Sequence, residues 1–424
     1  MRNGSLRFGL MVACALTLLA SRARADITLY DKDGWSVFTR GQAAAFYQLA
    51  LGDSDPQTAG ASLTGGLLSS AQEANQSKGT LTLSRLRSGF VGTQIGFGVR
   101  HDISDSVHVD SFLAVSLQDV SGGQIVSNQV PEGVDFREAW ANLETPYGSF
   151  KFGRMFSIFG SASAQVVLLA YRYGMGNPCA AGGAGIACGS VGAGPLYAGF
   201  NAEMRYITPR LAGFEGQLSV GDPISGQSFG YTLTPLPRFD AEINYDKHFG
   251  DTTRVRVIAQ GITQELQGNN MGANGFTLQT LNVWGAMGSA IFESSGFAVG
   301  AGLWEGAGIG TTRFLEVPTG DSLSFDSTGE LRLFRGYYGN IAYDYHGTRL
   351  AAGTGIVYVR PTAQDTSMAP ADDPLDHAGE WHVVFTQQVD ALMLTAEFSR
   401  WTSRWHSEAH EVVNFASVGT TFEW

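Results

Sequence analysis

Charge is scarce in this chain. Only 16% of its 424 residues are Asp, Glu, Lys or Arg, against about a quarter in an ordinary soluble domain. Long apolar runs are scarcer still, and beyond residue 25 none approaches the roughly 20 residues that a helix needs to cross a bilayer. A bundle of membrane helices is therefore excluded. Cysteine is nearly absent, with three in the whole chain. Basic residues are outnumbered, 27 Lys plus Arg against 39 Asp plus Glu, and that acidity argues against nucleic acid as a partner.

The N-terminus carries an export signal. Arg2 and Arg7 supply positive charge, Phe8 to Ala20 an apolar core, and Ala23-Arg24-Ala25 a small-x-small cleavage site, so residues 1–25 are expected to be removed. Cys14 sits in the middle of that apolar core, away from a lipidation position. In the exported remainder, 26–424, only Cys179 and Cys188 are left. A pair in an oxidising compartment favours a disulfide over a metal site or a nucleophile.

What the chain has in quantity is glycine, 55 residues, and apolar residues, 44%. The apolar residues alternate with polar ones instead of forming blocks. Val107, Val109, Leu113 and Val115 oppose His108, Asp110, Ala114 and Ser116. Phe239, Ala241, Ile243 and Tyr245 oppose Asp240, Glu242, Asn244 and Asp246; Leu392, Leu394, Ala396 and Phe398 oppose Met393, Thr395, Glu397 and Ser399. At the C-terminus Val412, Ala416, Val418, Phe422 and Trp424 share one face, with Val413, Ser417, Gly419, Thr421 and Glu423 on the other. Period-two patterns of this length suit tilted strands that meet lipid on one side and water on the other.

Connections alternate between short and long. Tight turns are expected at 103–106, 146–149, 210–213, 249–252, 294–296, 346–348 and 389–390. Longer polar or glycine-rich stretches lie at 51–79, 120–134, 157–200, 221–237, 266–275, 307–329, 361–379 and 402–411. Together they delimit about sixteen strands, with about eighteen as the alternative count. The fold class is therefore all-β: one transmembrane antiparallel barrel over 26–424. An open edge in hydrocarbon would strand backbone groups, so the sheet must close. A closed sheet of that size is too wide for its own side chains to fill and is expected to hold water.

Two stretches are similar to the general, trimeric porins of Gram-negative outer membranes. Asp135-Phe-Arg-Glu-Ala-Trp-Ala-Asn-Leu-Glu-Thr-Pro-Tyr-Gly-Ser-Phe-Lys-Phe-Gly-Arg154 resembles their Arg-x-Ala-aromatic strand, glycine turn and following strand ending in Gly-Arg. Ser84-Arg-Leu-Arg-Ser-Gly-Phe-Val-Gly-Thr93 resembles their Ser-Arg-Leu-Gly-Phe-x-Gly-Thr strand, with Arg87 and Ser88 extra. The break in alternation there suggests a bulge near Ser88-Gly89. The resemblance implies an outer-membrane location, a homotrimer, contact with outer-membrane lipids and lipopolysaccharide, and delivery to a barrel-assembly machinery through the C-terminal strand, where Phe422 and Trp424 are the outward aromatics.

The same resemblance implies that the third outer loop, 157–200, folds into the lumen and narrows it. Arg40, Arg85, Arg87, Arg137 and Arg154 then match the basic wall opposite that loop. Arg40 shares its face with Gln42 and Gln48, and Arg137 shares one with Ala139 and Ala141. Arg154 has the parity of Phe150 and Phe152, so it faces the lumen only if a bulge intervenes. Loop residues Tyr171, Arg172 and Tyr173 are candidate constriction contacts. Between Ser157 and Phe200 the loop has no Asp or Glu at all, so the acidic half of the family's transverse field is missing unless Glu203 supplies it.

The expected function is passive diffusion of small hydrophilic solutes and ions, with a mild preference for anions. A substrate-selective pore is the near alternative. An outer-membrane lipase or protease is the distant one, since eight histidines are present but no Gly-x-Ser-x-Gly elbow. His406, Glu408, His410 and Glu411 sketch a metal site, and Asp372, Asp373 and Asp376 a calcium site. Solvated loops account better for both, and no cofactor is required.

Overall fold

The computed structural model describes residues 26–53, 62–64, 81–117, 134–171, 177–178, 187–224, 236–267, 280–312, 314–315, 324–326, 328–367 and 372–424. The export signal, 1–25, lies outside them. Sixteen antiparallel strands form one closed barrel, with a short extra strand, Ile27–Lys32, before them. They are β1 (Trp35–Gly52), β2 (Leu81–Arg87, resuming as Thr93–Ser104), β3 (Val107–Leu117), β4 (Val134–Thr145), β5 (Gly148–Phe156), β6 (Phe200–Ile207), β7 (Phe214–Gly221) and β8 (Arg238–Phe249). The second half comprises β9 (Thr253–Leu266), β10 (Leu281–Ser294), β11 (Phe297–Ala307), β12 (Leu333–Tyr345), β13 (Thr348–Arg360), β14 (Asp372–Val389), β15 (Leu392–Trp405) and β16 (His410–Glu423).

Each strand pairs with its neighbour in sequence. The ring closes where β1 meets β16, from Gln42 opposite Glu423 to Gly52 opposite Val413. Closure satisfies every rim that lipid could not. The alternation sorts side chains as the sequence implies: Phe97, Leu113, Ile243, Phe398 and Phe422 are exposed outward, while Gln48, Asp240, Gln260, Ser399 and Thr421 are buried inside. Turns at one rim are tight. Asp33-Gly34, Ser295-Gly296 and His346-Gly347 take left-handed φ at both positions, the primed turn whose twist matches flanking strands. The break in β2 falls at Ser88–Gly92, where Gly89 and Gly92 have φ of 85° and 77°, as the irregular alternation suggests.

Two outer connections are shorter than expected. β14 begins at Asp372 and β15 runs to Trp405, so the stretch read as a loop at 402–411 is a tight turn between long strands. Leu375 pairs with Trp405, and both are buried. Polar residues and Pro374 disguise strands that extend past the bilayer, because proline and charge read locally as loop.

The larger correction concerns the interior. Within the third loop, Ser161–Tyr171 forms a helix, α1, that packs inside the barrel against β9 to β14. Ala162, Val166, Val167 and Ala170 are wholly buried, against Ile258, Met287, Ile291, Trp304, Tyr338, Ala342 and Val357 of the wall. Burying each such valine contributes roughly 1.5–3 kcal/mol. A helix with so broad an apolar surface needs a partner to bury it, and this one finds it in the lumen wall. Part of the expected water path is thus an apolar core.

The lumen as candidate functional site

The open half of the lumen faces β1 to β8. Its wall is built on a row of rings: Phe38 on β1, Phe112 on β3 and Trp140 on β4, with centroids 6.2 and 5.9 Å apart. The row exists because β2 between them presents Gly96 and Gly98. A methyl group at Gly96 would collide with the Phe112 ring, and one at Gly98 with the Phe38 ring. Over each ring lies a cation: Arg100 3.9 Å from the Phe38 centroid, Arg40 4.3 Å from Phe112 and Lys151 3.4 Å from Trp140. Each contact contributes about 0.5–2 kcal/mol, more as it is desolvated. Asp26 ties to Arg100 at 2.7 Å and lies 3.9 Å from Arg40. Glu138 accepts the Trp140 indole hydrogen at 2.8 Å, and Asn142 donates to Asp110 at 3.0 Å. A cavity of about 440 Å³ opens in front of this wall, lined among others by Arg40, Gln42, Gln94, Phe112, Glu138 and Glu423.

Across β6 to β9 the wall is polar but locked. Glu203 is buried and pairs with Arg205 at 2.6 Å and Arg238 at 3.9 Å. Arg238 also holds Asp240 at 3.0 Å and donates to Ser157 at 3.1 Å. Gln260 joins strand to loop, accepting from the Gly160 backbone at 3.0 Å and donating to Ser161 at 2.7 Å and Glu242 at 2.6 Å. Glu203 therefore offers no free acid to the channel.

α1 is pinned along its length. Asn340 donates to the Val166 carbonyl at 3.1 Å while its own oxygen lies 2.8 Å from His382 Nε2. Glu380 holds His382 Nδ1 at 2.8 Å, so both ring nitrogens are engaged and neither is left to activate a hydroxyl. Arg349, paired with Asp344, donates to the Leu169 carbonyl at 3.0 Å, a cation at the helix C-terminus where the dipole favours it. The loop continues over a glycine trough: Trp304 donates to the Gly194 carbonyl at 2.5 Å, and a side chain at Gly336 or Gly355 would strike the loop backbone. Of the described side chains, Ser161, Ala164, Gln165 and Leu168 are the helix residues left partly accessible, and none is charged.

Among the residues expected at the wall, Arg40 lies over the Phe112 ring and lines the cavity. Arg85 and Arg87 stand in register opposite Gln48 and Phe46 of β1; their side chains lie outside the described residues. Arg137 does not join them. A register irregularity opposite Ala114 and Val115 makes it the extra residue of β4, and its guanidinium lies 5.8 Å from the Phe200 centroid. Phe200 shares its face with Ala202 and the exposed Met204, outside the barrel. The lumen face of β4 is that of Glu138, Trp140 and Asn142, the opposite parity to the one Ala139 and Ala141 suggest. Arg154 is exposed on the outward face with Phe150 and Phe152, since no bulge interrupts β5. Tyr171 ends α1, with its side chain outside the described residues, as are Arg172, Tyr173 and Cys179. Backbone pairing of Asn177–Pro178 with Ala187–Gly189 closes the segment that a Cys179–Cys188 bridge would span. Phe422 is exposed outward and Trp424 packs beside Gly41.

Sequence reasoning missed Lys151, Arg100 and the ring row. Lys151 was legible, since it has the opposite parity to Phe150 and Phe152. His406 lies 3.8 Å from Asp376 while Glu408 pairs with Arg404, so the imagined metal ligands turn to other partners. Among the described residues, no helix is long and apolar enough to cross a membrane, which leaves a strand-built barrel untouched.

Comparison with solved structures finds the same architecture. The outer membrane channel DcaP of Acinetobacter baumannii has a TM-score of 0.66 at 14% identity, over 94% of this chain and 100% of that one. The anion-selective porin of Comamonas acidovorans has 0.57 at 10% identity, over 92% and 100%. OmpF of Salmonella typhi, in complex with daunomycin, has 0.53 at 13%, over 94% and 100%. At such identities the likeness is one of fold. No curated protein matches the sequence. The family described as Gram-negative porin matches residues 12–409; with a closed barrel, an outward apolar belt and a loop folded into a polar lumen, this outer-membrane chain belongs to the Gram-negative porins.

Proposed function

We propose that the protein lets small hydrophilic solutes and ions diffuse passively across the outer membrane, with a weak preference for anions. The path runs between the neutral face of α1 and the wall of β1 to β5, and the third loop is its constriction. One observation carries this reading: α1 fills the β9 to β14 side while a cavity of about 440 Å³ remains in front of β1 to β4, bounded also by Gln388, Asp390 and Ala391. The anion preference rests on Arg40, Arg100 and Lys151 on the wall of β1 to β5 and on a loop helix that carries no acid. It is weak because Glu138, Asp390 and Glu423 line the same cavity as Arg40, and a wall of mixed sign leaves only a small net potential.

The porin family and fold support the channel reading over an enzyme. The trimeric state, contacts with lipopolysaccharide and small solutes, and assembly through the β16 aromatics Phe422 and Trp424 belong to the same proposal, as does a Cys179–Cys188 disulfide. Planar-bilayer recording tests it. Discrete ohmic steps are expected, with a reversal potential in a potassium chloride gradient displaced toward chloride. A barrel that inserts without conducting would overturn the channel; a clear potassium preference would remove the anion bias alone.

A further inference from the structure

We propose that a cleft on the lipid-facing side of the barrel, at the outer end of β12 and β13, takes the phosphorylated head group of an outer-leaflet lipid. The proposal rests on the lipid contact put forward for this protein and gives that contact a place and a chemistry.

The cleft lies outside the barrel, at its outer rim. β12 enters the wall at Leu333 and β13 leaves it at Arg360, opposite each other in register. Val357 and Val359 are buried in the interior core, so the alternating residues Tyr358 and Arg360 face outward, and both are exposed. Arg335 and Tyr337 are exposed on the same face of β12. These four side chains line one cavity of about 430 Å³, together with Asp376 and His406.

The groups in the cleft are unevenly committed. Asp376 is held by His377 at 2.8 Å and lies 3.8 Å from His406. Arg335 uses one edge of its guanidinium on Glu305, with both contacts at 3.1 Å, and keeps its remaining donors. Arg360 forms no ion pair among the described residues, and the hydroxyls of Tyr337 and Tyr358 make no hydrogen bond there. A planar guanidinium matches two oxygens of a phosphate, and the phenols can donate to a third. Tyrosine rings also suit the level of the head groups, where one end is apolar and the other wet. Further along the same outward face, Ile341, Tyr343 and Leu350 are exposed and offer acyl chains an apolar wall. Inorganic phosphate has no use for that wall, whereas a lipid engages it and the cleft together.

The test titrates the full-length channel in detergent with lipid A, with lipid A stripped of its phosphates, and with inorganic phosphate. Bound mass is read by native mass spectrometry. Wild type is expected to retain phosphorylated lipid A more tightly than the stripped form. Arg360→Gln is expected to weaken that binding about tenfold, in line with loss of charge-assisted hydrogen bonds, and Tyr358→Phe to weaken it less. Arg154→Gln, which removes an outward charge from β5, is expected to leave it unaltered. All three variants are expected to conduct as wild type in planar bilayers, since none of these residues lines the lumen. Lipid binding that Arg360→Gln leaves unchanged, or that Arg154→Gln weakens equally, overturns the cleft and leaves a lipid contact elsewhere. Equal retention of the stripped lipid overturns the phosphate, and inorganic phosphate bound as tightly as lipid A overturns the lipid source. Loss of a protein oligomer in Arg360→Gln, in place of loss of lipid, gives the cleft to a neighbouring copy and overturns the proposal. A wild type that retains no lipid at all fails the lipid contact itself.

Discussion

At the scale of single residues, the outer mouth is held by a buried ion pair. Arg332 donates to both carboxylate oxygens of Asp365, at 2.7 and 2.8 Å, and both side chains are almost fully buried. Burial by itself pushes the Asp365 carboxyl up. The hydrogen bonds from Arg332, then those of Thr362, outweigh it and hold the carboxyl below its usual range. A carboxylate whose folded value is depressed stabilises the fold above its unfolded value of about 3.9, and that contribution is lost as pH falls through the folded value. Asp365→Asn is therefore expected to cost about 1.5–3 kcal/mol at pH 7, because it weakens the two charge-assisted hydrogen bonds that Arg332 makes to the carboxylate. Limited proteolysis of the outer loops at pH 7 and pH 3 checks it. The variant should be cut faster than wild type at pH 7, with the difference narrowing at pH 3; equal rates at pH 7 would refute the role.

At the scale of elements, strands were far more legible than the helix. A strand that meets lipid on one face and polar lumen on the other writes its alternation into the chain, and β3, β8, β9 and β15 follow it over much of their length. α1 leaves no such trace. Val166-Val-Leu-Leu-Ala170 is apolar on every side because the barrel wall, the loop and the helix enclose it together, and those partners are remote in sequence. The parity of β4 misled for a local reason, one extra residue opposite Ala114 and Val115, which turned Arg137 outward and Trp140 inward. The anchoring of α1 makes its own prediction. Asn340→Ala would remove the hydrogen bonds to the Val166 carbonyl and to His382 Nε2 together, at a cost of about 1–3 kcal/mol for the two. The expected readout is excess noise and subconductance steps in the open channel, as the helix loses one of its fixings. A current as quiet as wild type would mean that Gln260 and Arg349 suffice.

At the scale of the whole molecule, the barrel is larger than its passage. Sixteen strands enclose room that side chains alone do not fill, and here the chain fills part of it with its own third loop. Removing most of residues 165–195 is expected to raise single-channel conductance, since water then occupies the space of α1. The current of the deletion variant in the same salt decides this. An unchanged value would place the narrowest point elsewhere.

The join between β1 and β16 sets the order of assembly. Gly41 and Trp424 exchange backbone hydrogen bonds at 3.0 and 3.1 Å, so the first and last strands of the ring meet at its seam. Contacts so far apart along the chain form late, because a long loop must close before they reward it. Until the final residues arrive, β1 carries an exposed row of amides and carbonyls that hydrocarbon tolerates poorly. A barrel caught before that seam joins would therefore show one raw margin to its surroundings.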